Sequence, residues 1–221
     1  MRLPVIGKKL WFPPVEKAMD DGLLAAGGDL SKERLLLAYQ NGIFPWFNEG
    51  DPPLWWCPDP RFVLFPQELR VSKSMKQDLK SGNFEFRVDT SFCDVLNNCR
   101  AVYRHGQGGT WITDEVVAGY TALHHAGYVH SAEAWSGGEL VGGLYGVKLG
   151  NIFFGESMFS LCSNASKFAF INWVLQLQQA GCILIDCQLH TNHLQSLGAR
   201  MITRKDFMGY LEMGGASRSC I

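Results

Sequence analysis

Residues 152–167 read IFFGESMFSLCSNASK, and the fold turns on how this stretch is taken. The first eight residues predict a strand and the last four the start of a helix. Strict alternation along such a strand puts Phe154, Glu156 and Met158 on one face, and Phe153, Ser157 and Phe159 on the other. Working outward, residues 129–135, 140–149 and 152–159 are apolar runs separated by the two-residue turns Gly137-Gly138 and Gly150-Asn151. That spacing predicts an antiparallel meander. An amphipathic helix over 164–180, with Asn164 as its cap and Gly181 at its end, then leads into CILIDCQL at 182–189. This last run is apolar on both faces, so it predicts a buried, central strand. Helix, antiparallel strands, helix and strand together predict an α/β domain of the acyltransferase kind.

Three polar residues interrupt these apolar runs. A carboxylate at Glu156, between Phe and Met, is costly to bury unless a cation or a hydrogen-bond donor meets it. Two readings stand: a strand-end Glu satisfied by backbone N–H groups, or a perturbed group with a chemical role. On the 182–189 strand, Leu184, Asp186 and Gln188 share a face, and the Asp and Gln together suit the positioning of an amine. Asp186 as a loop cap is the plainer alternative, and Glu156 with Asp186 also fits a glycosidase pair. Cys187, with His190 and His193 nearby, suggests a cysteine hydrolase. It lies on the face opposite Asp186, however, so a structural thiol is preferred.

The flanks of the chain supply the rest. Residues 1–61 are rich in Pro, Gly and Trp (WFPP at 11–14, GIFPWF at 42–47) and contain one helix, capped by Ser31 and stopped by Gly42. A short apolar strand follows at 62–65, then helices at 72–79, 91–103 and from Thr113 onward, with a strand at 84–88. Lys73, Lys76 and Lys80 recur at helical spacing. They form either a solvated face or a stripe that tracks a phosphate backbone. The glycines of RHGQGGTW (104–111) do not follow a strand in phosphate-loop order. The chain is 47% hydrophobic and 19% charged with a net charge of −1, which predicts a packed core and no global attraction to nucleic acid. Its seven cysteines contain no C-x-x-C pair, which argues against zinc and disulfide frameworks and for a cytoplasmic setting. No apolar run approaches a membrane span.

Taken together, GLLAAGGDLS (22–31), YQNGIFPWF (39–47), LWWCPDPR (54–61), GTWIT (109–113), LVGGLYGV (140–147), GESMFS (155–160), NASK (164–167), LIDCQ (184–188) and SLGA (196–199) resemble the bacterial leucyl/phenylalanyl-tRNA–protein transferases over nearly the whole chain. The resemblance implies a small N-terminal domain, 1–61, packed on a GNAT-like (acyl-CoA N-acyltransferase-like) domain, 62–221. It implies transfer of Leu or Phe (Met being a further candidate) from aminoacyl-tRNA to the α-amine of proteins starting with Arg or Lys, marking them for N-end-rule degradation. An aminoacyl ester is already activated, so the reaction calls for no cofactor and no metal. On this reading Asp186 and Gln188 position and deprotonate the amine, and Glu156 orients the donor ester or its amino group. Leu144, Phe153 and Met158 line the donor side-chain slot, with Leu144 standing where the family often has Met. Trp46 and Trp111 stack on the terminal adenosine, and Lys73, Lys76 and Lys80 contact tRNA. The expected state is a cytoplasmic monomer. The alternatives are a GNAT-like acyltransferase with another donor and a non-catalytic tRNA-binding protein.

Overall fold

The computed structural model describes residues 3–102 and 110–216. Tyr103, the glycine loop expected at 106–109 and Cys220 lie outside the described residues.

Two sheets organise the chain. The smaller is built from β1 (Val5–Ile6), β2 (Leu23–Gly27), β3 (Phe44–Pro45) and β4 (Leu54–Trp56), in the order β1-β2-β4-β3. Helix α1 (Lys32–Gln40) lies between β2 and β3. Ser31 caps it as expected, its hydroxyl accepting from Arg34 N–H. The larger sheet contains β5 (Arg61–Leu64), β6 (Glu85–Val88), β7 (Val129–Ser136), β8 (Glu139–Leu149), β9 (Ile152–Ser160), β10 (Leu184–Gln188) and β11 (Arg200–Ile202). Their order is β11-β5-β10-β9-β8-β7-β6. The expected meander is β7-β8-β9. Gly137 and Gly138 both take the positive φ that a type I′ turn requires.

In the larger sheet β9 and β10 pair in parallel, and every other pairing is antiparallel. A parallel pair needs a crossover, and α5 (Ala165–Gln179) supplies it. This helix is less one-sided than its sequence suggests, because residues 168–171 are all buried. With α2 (Lys73–Asp78) it covers one face of the sheet, over Phe62, Leu64, Leu144, Phe153 and Ile185. The other face packs on α1, α3 (Phe92–Ala101), α4 (Asp114–His125), α7 (Arg204–Met213) and the smaller sheet, in one continuous core. The mixed α/β class and the central place of β10 agree with the sequence reading. No helix among the described residues is long and apolar enough to cross a membrane.

Two expectations need correcting. Asn164 does not cap α5. It sits at φ +67° with no capping bond, and its amide instead donates to Asp78 Oδ2 at 2.8 Å, tying α5 to α2. Nor does β9 alternate strictly. Its pairing with β8 runs Gly146 to Gly155 and then Tyr145 to Ser157, leaving Glu156 as the extra residue of a bulge. Beyond that bulge the faces exchange. Phe154 and Phe159 join the core beneath the smaller sheet, while Phe153 and Met158 face α5.

Candidate active site

The bulge at Glu156 has a counterpart in the neighbouring strand. β10 pairs with β5 through Asp186 to Val63 and then Gln188 to Phe62, so Cys187 is the extra residue. The parallel ladder of β9 and β10 ends at Phe154–Asp186. Where it ends, a cavity of about 540 Å³ opens, lined by residues 155–158 of β9 and 185–189 running out of β10. That size suits a small-molecule or cofactor site. Gln188 at its edge has φ +62°, an unfavourable conformation for a side-chain-bearing residue. Its N–H donates to Asp186 Oδ1 at 2.9 Å, which fixes the turn.

Two fully buried acids and one half-buried acid illustrate different fates for a carboxylate. Glu133 caps α3, accepting from the N–H groups of Thr90 and Ser91 and from Ser131 and Trp135 side chains at 2.8–3.0 Å. Asp186 is fully buried and held by Arg61, with Nε at 2.8 Å and Nη2 at 2.7 Å. The Arg61 guanidinium lies 4.7 Å from the Phe44 ring centroid and 4.6 Å from that of Phe207, so the pair ties β5 and β10 to the smaller sheet and to α7. Glu156 differs from both. Its hydrogen-bond partners are neutral: Gln188 Nε2 donates to Oε1 at 2.9 Å and Tyr120 Oη to Oε2 at 2.9 Å. Burial pushes its pKa up to about 8, against the opposing pull of the Tyr39 and Tyr120 hydroxyls and the Gln188 amide; the Asp186 charge adds to the rise. A carboxyl that reaches the cavity wall with no cation hydrogen-bonded to it among the described residues is suited to receive one.

The other predicted residues fall around this centre. Leu144 and Met158 stand opposite one another on β8 and β9, and both line the cavity. Phe153 lies one layer behind, fully buried with its ring edge on Trp173 at 5.5 Å. Trp111, buried, and Trp46, 36% exposed, both line the cavity. Lys73, Lys76 and Lys80 are exposed on α2 and the turn after it, outside the cavity lining. Cys187 lines the cavity, but burial and then the Asp186 charge push its thiol up, so it offers no thiolate. His190 is engaged elsewhere, its Nε2 donating to Gln195 Oε1 at 2.7 Å.

Sequence reasoning missed Arg61, Tyr39 and Tyr120. The two tyrosines read as core residues at helical spacing from Leu35 and Val116. The available signal was chemical: a buried phenol needs a hydrogen-bond partner, and two of them need two.

The family model of the leucyl/phenylalanyl-tRNA protein transferases matches residues 63–212, and that of their N-terminal domain residues 28–59. The chain belongs to this family. A transferase of that name from Nitrosospira multiformis is 53% identical, over 96% of this chain and 95% of its own. One from Chromobacterium violaceum is 54% identical, over 95% and 91%. Solved structures give distant likenesses. A GCN5-related N-acetyltransferase-like protein from Streptococcus suis is 12% identical with a TM-score of 0.38, over 75% of this chain and 61% of its own. A protein of unknown function from Bacteroides thetaiotaomicron is 17% identical with a TM-score of 0.40, over 62% and 53%. In this family member the cavity, the two bulges and Glu156 form one connected site.

Proposed function

We propose that the chain transfers Leu or Phe from aminoacyl-tRNA to the α-amine of proteins beginning with Arg or Lys. The observation that carries this reading is Glu156, a half-buried carboxyl whose hydrogen-bond donors among the described residues are neutral, set beside an apolar slot. The amino group of the aminoacyl donor is an ammonium below its pKa, and Glu156 receives it. The donor side chain then enters between Leu144 and Met158, and the terminal base rests against Trp46 and Trp111. Stacking of this kind is typically worth about 1–3 kcal/mol.

The chemistry asks little more than orientation. The acceptor nitrogen attacks the ester carbonyl carbon and the bond from that carbon to the ribose oxygen breaks. The leaving oxygen takes the proton that the nitrogen gives up. An α-amine of pKa about 7.7–8.0 is partly neutral near pH 7, so alignment supplies much of the rate. Gln188 has its amide nitrogen engaged by Glu156. Its carbonyl oxygen is then the end that aligns the attacking amine. Asp186, already saturated by Arg61 and Gln188 N–H, acts by holding Gln188 in its turn. The unit 1–61 closes the cavity through Phe44 and Trp46, and the unit 62–221 supplies the remaining walls. The protein acts as a cytoplasmic monomer, and its products enter N-end-rule degradation.

The test is transfer of labelled leucine from Leu-tRNA to a model protein starting with Arg, beside one starting with Gly. The expected result is labelling of the Arg protein alone, and none with uncharged tRNA and free leucine. Equal labelling of both proteins would refute the acceptor rule, and no labelling of either would refute transfer.

A further inference from the structure

The hydroxyls behind Glu156 form a linked pair. Tyr120 Oη donates to Glu156 Oε2 at 2.9 Å. Tyr39 Oη is hydrogen-bonded to Tyr120 Oη, and its hydroxyl also acts on the Glu156 carboxyl. Both tyrosines are fully buried, and burial first, then the nearby Glu156 charge, holds their hydroxyls protonated far above neutral pH. They remain donors wherever the protein is folded. The chain also crosses the molecule: Tyr39 is on α1, Tyr120 on α4, Glu156 at the β9 bulge and Gln188 at the end of β10. Tyr145 of β8 packs its ring against Tyr120 at 5.5 Å, and the Asp186–Arg61 pair of β10 and β5 stands beside the same carboxylate.

We propose that Tyr39 and Tyr120 are positioning residues for the transfer reaction, a hydroxyl chain through which helices α1 and α4 hold the carboxylate of Glu156 against Gln188. The proposal rests on the aminoacyl-transfer reading of the cavity. Linked hydrogen bonds polarise one another, so the two hydroxyls together hold the carboxylate more strongly than either alone. A chain of donors favours the charged carboxylate over the neutral one. It thereby makes Glu156 available to a substrate ammonium at a pH where burial alone would keep it protonated. The opposing groups facing the carboxylate, Asp186 with its Arg61 partner and Tyr145, are present with or without the chain.

The experiment compares wild type with Tyr120→Phe and Tyr39→Phe in two ways. The first is kcat/KM for leucine transfer against pH. Loss of one donor moves the acidic limb up by ~1 pH unit in Tyr120→Phe and in Tyr39→Phe. The second is an infrared titration of the Glu156 carboxyl band in the free enzyme, identified by its loss in Glu156→Gln, and it needs no activity. Its midpoint rises in both variants. Midpoints identical to wild type in both folded variants would overturn the proposal, and so would an activity loss that is uniform across pH. A wild type that transfers nothing, yet shows the infrared shift, would fault the transfer reading and leave the chain standing.

Discussion

Burial raises the Glu156 pKa in the folded protein, whereas in the unfolded chain the group titrates near its ordinary value of 4.5. Between that value and about 8 the folded state keeps a proton that the unfolded state releases. Stability therefore falls as pH rises through this window, and the penalty is complete above it. Glu156→Gln removes the penalty while preserving the shape of the group. Its melting temperature, relative to wild type, should climb from pH 5 to pH 9 by several degrees, at ~2–4 °C per kcal/mol for a chain of this size. A difference that stays flat across that range would show that the carboxylate is solvated. The acid itself was legible in the sequence as a charge inside an apolar run. Its surroundings were not, because Tyr39 and Tyr120 come from helices distant in the chain, and no local pattern states which buried phenols will meet.

The strands show where periodicity stops being informative. Alternation placed Asp186 and Gln188 together on one face of β10; the bulge at Cys187 breaks that alternation, and what joins the two residues is the Gln188 N–H donated to Asp186 Oδ1. On β9 a single inserted residue exchanges the faces of everything after it, so Met158 ends beside Leu144 and Phe153 on the α5 side. Gly155, directly before Glu156, was the available hint, since glycine within a strand often marks a bulge. The paired bulges at Glu156 and Cys187 end the β9–β10 ladder and create the cavity between them. What holds this arrangement is the Arg61–Asp186 pair, which is enclosed by Phe44 and Phe207. Removing one member leaves an uncompensated buried charge, and Asp186→Ala or Arg61→Met should each cost about 3–5 kcal/mol in urea unfolding. The double variant Arg61→Met/Asp186→Leu should cost clearly less than the sum. Additive losses would mean that the two side chains act independently.

At the scale of the molecule, family membership was legible because short motifs recur in order along most of the chain, which local composition alone does not reveal. The net charge of −1 leaves any attraction to tRNA to a local patch. On α2, Met75 is buried and Leu79 half-buried, which turns Lys73, Lys76 and Lys80 outward. Replacing all three by Ala should reduce the salt dependence of tRNA binding, log K against log salt, by about 2–3 in slope and leave the melting temperature unchanged. An unaltered slope would remove these lysines from the interface. The cavity is lined from both sheets, with Phe44 and Pro45 of the smaller one and Trp46 just after them. The most direct test of that account is single-turnover leucine transfer from Leu-tRNA to an Arg-starting protein by wild type, Glu156→Gln and Gln188→Ala, each verified as folded. The account predicts transfer by wild type and a loss of at least tenfold in both variants, on the order of one hydrogen bond to a charged group. Variants that transfer at the wild-type rate would place the chemistry somewhere other than this cavity.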